Sequence, residues 1–285
     1  MIASFSKTCL AALTATRSET ADTMHPVINI ALRAARGAAE QIIHVSDRLD
    51  RVNVIEDKNG TLVTSMDIDA ERTILYHLQK AYPDYSIDSR LSGFTAGADK
   101  DHIWLIDPLV SNRNFYKGFG SFCISLALKT PKGITHGVVL NPVNNQEFSA
   151  SRGDGAQLND SRVRIGKMLN LENAFVSLDP EQSADDDFLP QLQAQLLALP
   201  VHLRMSGCPA LDMVYVAAGR LDAGWCRQQH HTSLAAAQLI LLESGALLSD
   251  PQGNPQTQGS KEMLFGNPKC FKHLLQIRQT LKAQA

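Results

Sequence analysis

The stretch Ile103-Trp104-Leu105-Ile106-Asp107-Pro108-Leu109 constrains this chain more than any other segment. It is an apolar strand that delivers one carboxylate, Asp107, to a turn. The turn continues Val110-Ser111-Asn112.

Helices and strands are expected to intermix around it. Pro26 to about Val45 is helical, with Val27, Ile30, Ala31, Ala34, Ala38 and Ile42 on one stripe and proline in the first turn. Asn59-Gly60 reads as a turn, and a second helix runs from Ile68 to Ala81. Asp67, just before it, is an N-cap, a metal ligand, or both. Short β-leaning segments follow at Ile103–Asp107, Phe122–Leu128, Gly137–Leu140 and Gln146–Ala150. A loop at Arg152-Gly153-Asp154-Gly155-Ala156 leads to a strand near Ala174–Leu178. The acidic run Asp185-Asp186-Asp187 enters a helix ending near Leu199. Strand 201–205, helix 209–219, strand 221–227, helix 233–244, strands 246–249 and 263–266, and helix 268–283 complete the pattern. This is a layered α/β or α+β architecture, with one domain from 24 to 285 in two halves, 24–165 and 166–285.

A chain of 285 residues with 44% hydrophobic content can bury a large core. With 27 basic and 29 acidic residues, it lacks the basic excess of an electrostatic nucleic-acid binder. Five widely spaced cysteines without a C-x-x-C pair fit reduced thiols and a cytoplasmic location. No apolar run is long enough to cross a bilayer. Residues 1–23 are expected to be a disordered extension or to follow an upstream start codon, with a cleaved targeting peptide as the alternative.

Five segments in register resemble the inositol monophosphatase family, and within it the bacterial SuhB branch. They are Met24–Arg36; Val63-Thr64-Ser65-Met66-Asp67; Trp104–Leu109 followed by Asn114-Phe115; Gly153–Asn159; and Ala210–Asp222. The resemblance implies an αβαβα sandwich of the inositol monophosphatase and fructose bisphosphatase type. It also implies Mg²⁺-assisted hydrolysis of a phosphate monoester, in which clustered carboxylates hold the cations and the cations activate water.

Position by position, the resemblance implies a depleted site. Asp67 and Asp107 match family metal ligands. Leu109 matches a position that supplies only its carbonyl. Arg90 stands where the family has a metal-binding glutamate, Val110 replaces the second aspartate of the central motif, and Ser233 replaces a later one. Ser111 and Asn112 occupy the Gly-Thr phosphate-binding position, and Asn112 lacks the catalytic hydroxyl. Cys226 aligns with a glutamate that contacts substrate hydroxyls, and Pro209 removes an N–H from a second phosphate-side segment. Arg90, helped by Arg113, is expected to sit against the two aspartates as an internal cation. Cys226, His230 and His231 match no zinc signature and read as a drifted loop. Asp212 and Asp222 are expected to hold helix and turn geometry.

Three functions follow from the resemblance. The first is a family member that is inactive or strongly impaired as a phosphatase and acts by binding: a cytoplasmic dimer joining transcription antitermination on ribosomal RNA operons through NusA and RNA polymerase. The second is a rebuilt phosphatase using Mg²⁺ held by Asp67 and Asp107 with help from Asp88 or Glu71. The third is a metal-free sensor of a small phosphate ligand, held by Arg90, Arg113 and the Ser111-Asn112 amides.

Overall fold

A computed structural model describes residues 24–46, 48–58, 61–179, 188–227, 230–255, 257 and 260–284. The 1–23 extension, the Asn59-Gly60 turn and the Asp185-Asp186-Asp187 run lie outside the described residues.

Helix α1 (Pro26–Ser46) buries its alanine-rich stripe, including Ala31, Ala34, Ala35, Ala38 and Ile42. Small side chains let it pack closely on its neighbours. Strands β1 (Val54–Lys58) and β2 (Thr61–Thr64) pair antiparallel. They lead into α2 (Ser65–Ala81), which starts three residues before the expected Ile68.

The larger sheet is built from β3 (Tyr85–Ser89), β4 (Gly93–Thr95), β5 (Asp99–Val110), β6 (Cys123–Thr130), β7 (Gly133–Asn141), β8 (Gln146–Ser151), β9 (Gly155–Leu158) and β10 (Ser161–Val163). A short helix, α3 (Asn112–Tyr116), follows β5. Spatial order is β10-β9-β8-β7-β6-β5-β3-β4, with only the β3–β5 pair parallel. Side chains alternate between its faces. Trp104, Ile106, Ile124, Leu126 and Leu128 pack with α1 and α2. Leu105, Cys123 and Ala127 pack into a second core on the other side.

The smaller sheet contains β11 (Phe175–Asp179), β12 (His202–Arg204), β13 (Ala223–Arg227), β14 (Leu247–Ser249) and β15 (Glu262–Gly266), in the order β12-β11-β13-β15-β14. Helices α4 (Phe188–Leu197) and α7 (Pro268–Gln284) supply Leu192, Leu196, Phe271 and Leu274 to its outer face. Helices α5 (Pro209–Ala217) and α6 (His231–Glu243) fill the space between the sheets. The result is five layers, αβαβα.

Helix α6 is apolar nearly all round because both its sides are covered. Every residue from Thr232 to Leu241 except Gln238 is buried. It crosses the larger sheet at Gly137, where an added Cβ would stand 3.0 Å from Ala236 Cα. A side chain there would push α6 outward. The cysteines Cys123, Cys208, Cys226 and Cys270 are buried free thiols.

Candidate functional site

The C-terminal end of β5, the start of α2, the turn after β3 and the first turn of α6 meet at one point. Asp67 reaches it from α2. Thr64, not Asp67, is the N-cap of this helix, which corrects the sequence reading. Asp67 is the third residue of a capping box. Its amide donates to Thr64 Oγ1 at 3.4 Å, and its Oδ2 accepts from the Thr64 amide at 2.9 Å and hydroxyl at 2.7 Å. The T-x-x-D spacing in Thr64–Asp67 carries this signal in sequence.

Asp67 Oδ1 faces the other way. It accepts from Arg90 Nη2 at 2.6 Å and from Asn112 Nδ2 at 2.9 Å. Four donors therefore fill the lone pairs of this fully buried carboxylate. Asn112 also donates to the Leu62 carbonyl at 2.6 Å. Its amide group is thus turned inward, onto the carboxylate, at the position first read as facing substrate.

Asp107 is equally enclosed. Its Oδ1 accepts from Arg90 Nε at 2.8 Å and from the Leu109 amide at 3.2 Å. Its Oδ2 accepts from the Ser233 hydroxyl. The sequence pattern starts α6 at Ser233. The helix instead begins at His231, and the Ser233 hydroxyl is spent on Asp107. The Arg90 guanidinium therefore bridges the two carboxylates and is itself mostly buried, at 16% side-chain exposure. Burial opposes its charge, but the charges and hydrogen bonds of Asp107 and Asp67 win, so its pKa is raised above the usual guanidinium value.

The turn carrying Arg90 is tied down on both sides. Its backbone N–H donates to the Ile106 carbonyl of β5 at 2.9 Å. Glu71, one helical turn beyond Asp67, accepts from the hydroxyls of Ser89 and Ser92 and from the Ser92 amide. Glu71 and Asp88, both considered as outside metal ligands, are thus engaged elsewhere. Asp88 pairs with His231 Nε2 at 2.8 Å, joining the β3 arm to α6. His230 contacts the Thr232 hydroxyl at 2.8 Å, and burial together with His231 lowers its pKa.

The remaining candidates divide. Leu109 and Val110 are buried in opposite cores. Ser111 sits at φ 62°, in the left-handed region, and its carbonyl accepts from the amides of Asn114 and Phe115 at the start of α3. Arg113 is exposed on α3, and the bonds to the two carboxylates come from Arg90 instead. Cys226 is fully buried on β13 and packs in the core between the sheets. Pro209 is the first residue of α5. Asp222 accepts from the Phe175 amide, and Asp212 accepts from the Ser206 hydroxyl. Burial raises the Asp212 carboxyl to about 7, against the lowering effect of Ser206.

The convergent oxygens are thus matched by the protein's own donors. Among the described residues, no group of three or more His, Cys, Asp or Glu side chains is arranged to hold a metal ion. Sequence reasoning missed Thr64, which its T-x-x-D spacing could have found, and Ser89 and Ser92, whose small hydroxyls carry no pattern of their own.

Known proteins share this arrangement of layers. The Nus factor SuhB of Pseudomonas aeruginosa is 39% identical over 259 residues, covering 88% of this chain and 95% of that protein. The extragenic suppressor protein SuhB of Bartonella henselae superposes with a TM-score of 0.86 at 28% identity, covering 90% of this chain and 99% of that one. An IMPase of Thermotoga maritima gives 0.82 at 27% identity, covering 91% and 99%. The inositol monophosphatase family pattern matches residues 23–283, which takes in all five layers and the Asp67–Arg90–Asp107 site, so the chain belongs to that family.

Proposed function

We propose that this chain works by binding, as a metal-independent SuhB-like member of its family, with Arg90 standing where a divalent cation would be held. One observation carries the reading: Arg90 bonds Asp67 at 2.6 Å and Asp107 at 2.8 Å. Hard cations ask for six or more oxygen ligands, and Mg²⁺ for near-octahedral geometry. Here, among the described residues, the acidic donor set is Asp67 and Asp107, and both are saturated by Arg90, Thr64, Asn112, Leu109 and Ser233. A cation entering this site meets a fixed guanidinium charge. Mg²⁺ does not fit this arrangement, and no hydrolytic step is assigned to it.

The relatives named Nus factors direct the reading to transcription. On this view the chain is a cytoplasmic homodimer that joins an antitermination complex through NusA or RNA polymerase. Among the described residues, no helix is long and apolar enough to cross a membrane.

The test is hydrolysis of inositol-1-phosphate with and without Mg²⁺, beside an active SuhB, together with phosphate titration in EDTA and capture of NusA and RNA polymerase. The expected result is no Mg²⁺-dependent turnover, no phosphate binding, and capture. Turnover near the control rate would restore the rebuilt-phosphatase reading. Phosphate binding in EDTA would favour the sensor. Two carboxylates against one guanidinium leave the site net negative, which disfavours a phosphate.

A further inference from the structure

We propose that Glu71 is the positioning residue that keeps Arg90 between the two aspartates, by clamping the turn on which Arg90 is carried. The proposal rests on the metal-independent reading given above. Glu71 is only 7% exposed. A single oxygen, Oε1, accepts from the Ser89 hydroxyl, from the Ser92 amide at 3.1 Å and from the Ser92 hydroxyl at 2.8 Å. Ser89 and Ser92 bracket Arg90, and Ser89 Oγ also accepts from the Leu91 amide at 3.3 Å. The turn is thus closed onto one carboxylate.

The origin of each tie matters. Glu71 lies on α2, the helix that presents Asp67. The Arg90 amide is held by Ile106 on β5, the strand that presents Asp107. The carrier of the cation is therefore fastened to both carriers of the anions. A long side chain loses much rotamer freedom when fixed, and a rigid base reduces how much must be lost. Among the described residues, no cationic partner of Glu71 explains its burial: its bonds are to two hydroxyls and an amide, all from the residues that bracket Arg90. Burying a carboxylate is costly, and what this one secures is the placement of its neighbour.

The experiment follows the Arg90 Nε–H in the ¹⁵N-labelled full chain, identified by its disappearance in Arg90→Lys. Hydrogen exchange at this group is expected to be slow. Glu71→Gln keeps an oxygen acceptor and should retain that protection. Glu71→Ala should accelerate exchange about tenfold or more while the core amides of β6 stay protected. Unchanged Nε–H exchange in Glu71→Ala overturns the proposal, as does an acceleration shared equally by β6. If Glu71→Ala does not fold, Ser89→Ala with Ser92→Ala removes the clamp from the other side and is scored by the same two outcomes. Mg²⁺, which is diamagnetic, added to the unaltered chain tests the parent reading separately. Loss of Nε–H protection on adding the metal would overturn metal independence and leave the role of Glu71 standing.

Discussion

Arg90 Nη2 lies 2.6 Å from Asp67 Oδ1, and that contact is one arm of a fork whose Nε reaches Asp107. Removing the fork leaves two buried carboxylates close together without a counter-charge. Arg90→Ala should therefore cost about 3–5 kcal/mol of folding stability. Arg90→Lys should recover only part of this, because an ammonium on a flexible stem cannot span both acids in one geometry. Urea unfolding at neutral pH measures both. A loss under about 1 kcal/mol for Arg90→Ala would mean that solvent already screens the pair.

Rebuilding the acids should invert the metal preference. The combined change Arg90→Glu, Val110→Asp and Ser233→Asp places three more carboxylates around Asp107. Isothermal titration is expected to show Mg²⁺ binding where the unaltered chain shows none. Turnover of inositol-1-phosphate should stay low, because Asn112 and Cys226 remain. Equal Mg²⁺ affinity in both proteins would refute the assignment of these three positions.

Asp212 makes stability depend on pH with a defined sign. Its carboxyl is raised to about 7 in the folded chain, with burial the largest cause. The native state then holds a proton that the unfolded state has released, so ν is larger in the native state and stability falls as pH rises. The contribution is complete below the ordinary aspartate range near pH 4 and is lost as pH climbs through about 7. Denaturant midpoints measured between pH 4 and pH 8 should show that slope. Asp212→Asn, which keeps an oxygen for Ser206, should flatten it.

Ser111 should be improvable. It holds φ 62°, and its hydroxyl is buried without a hydrogen-bond partner among the described residues. A residue with a Cβ is disfavoured in that region, and glycine is not. Ser111→Gly should gain about 0.5–1 kcal/mol despite the added freedom of the unfolded chain. Thermal melts would show it as a rise of a few degrees. A lower melting temperature would mean that the serine is favoured at this turn.

Long periodic elements were legible in the sequence, and short polar ones were not. The α1 stripe and the β5 core could be placed because apolar spacing reports burial directly. Strands such as Gly93–Thr95 and Ser161–Val163 escaped, because three residues of mixed polarity carry no period. Arg90 stood out once the motifs were in register, and a cation near two acids has an obvious place to go. The roles of Asn112 and Ser233 were not legible. Both were judged by what they lack as ligands, whereas the fold uses what they donate. The start of α6 was misplaced for a related reason. His230 and His231 resemble loop residues, yet the buried run that follows them pulls the helix back to His231.

Helix α6 is held between the larger sheet on one side and α5 with β14 on the other, and Ser233 in its first turn holds Asp107. A rod held on both sides cannot yield at one end without its mounts yielding too. Anything that pulls on Asp107, whether a competing ion or the drift of a neighbouring side chain, is resisted by the entire middle layer. The end of that rod thus serves as a brace for the buried carboxylate it holds.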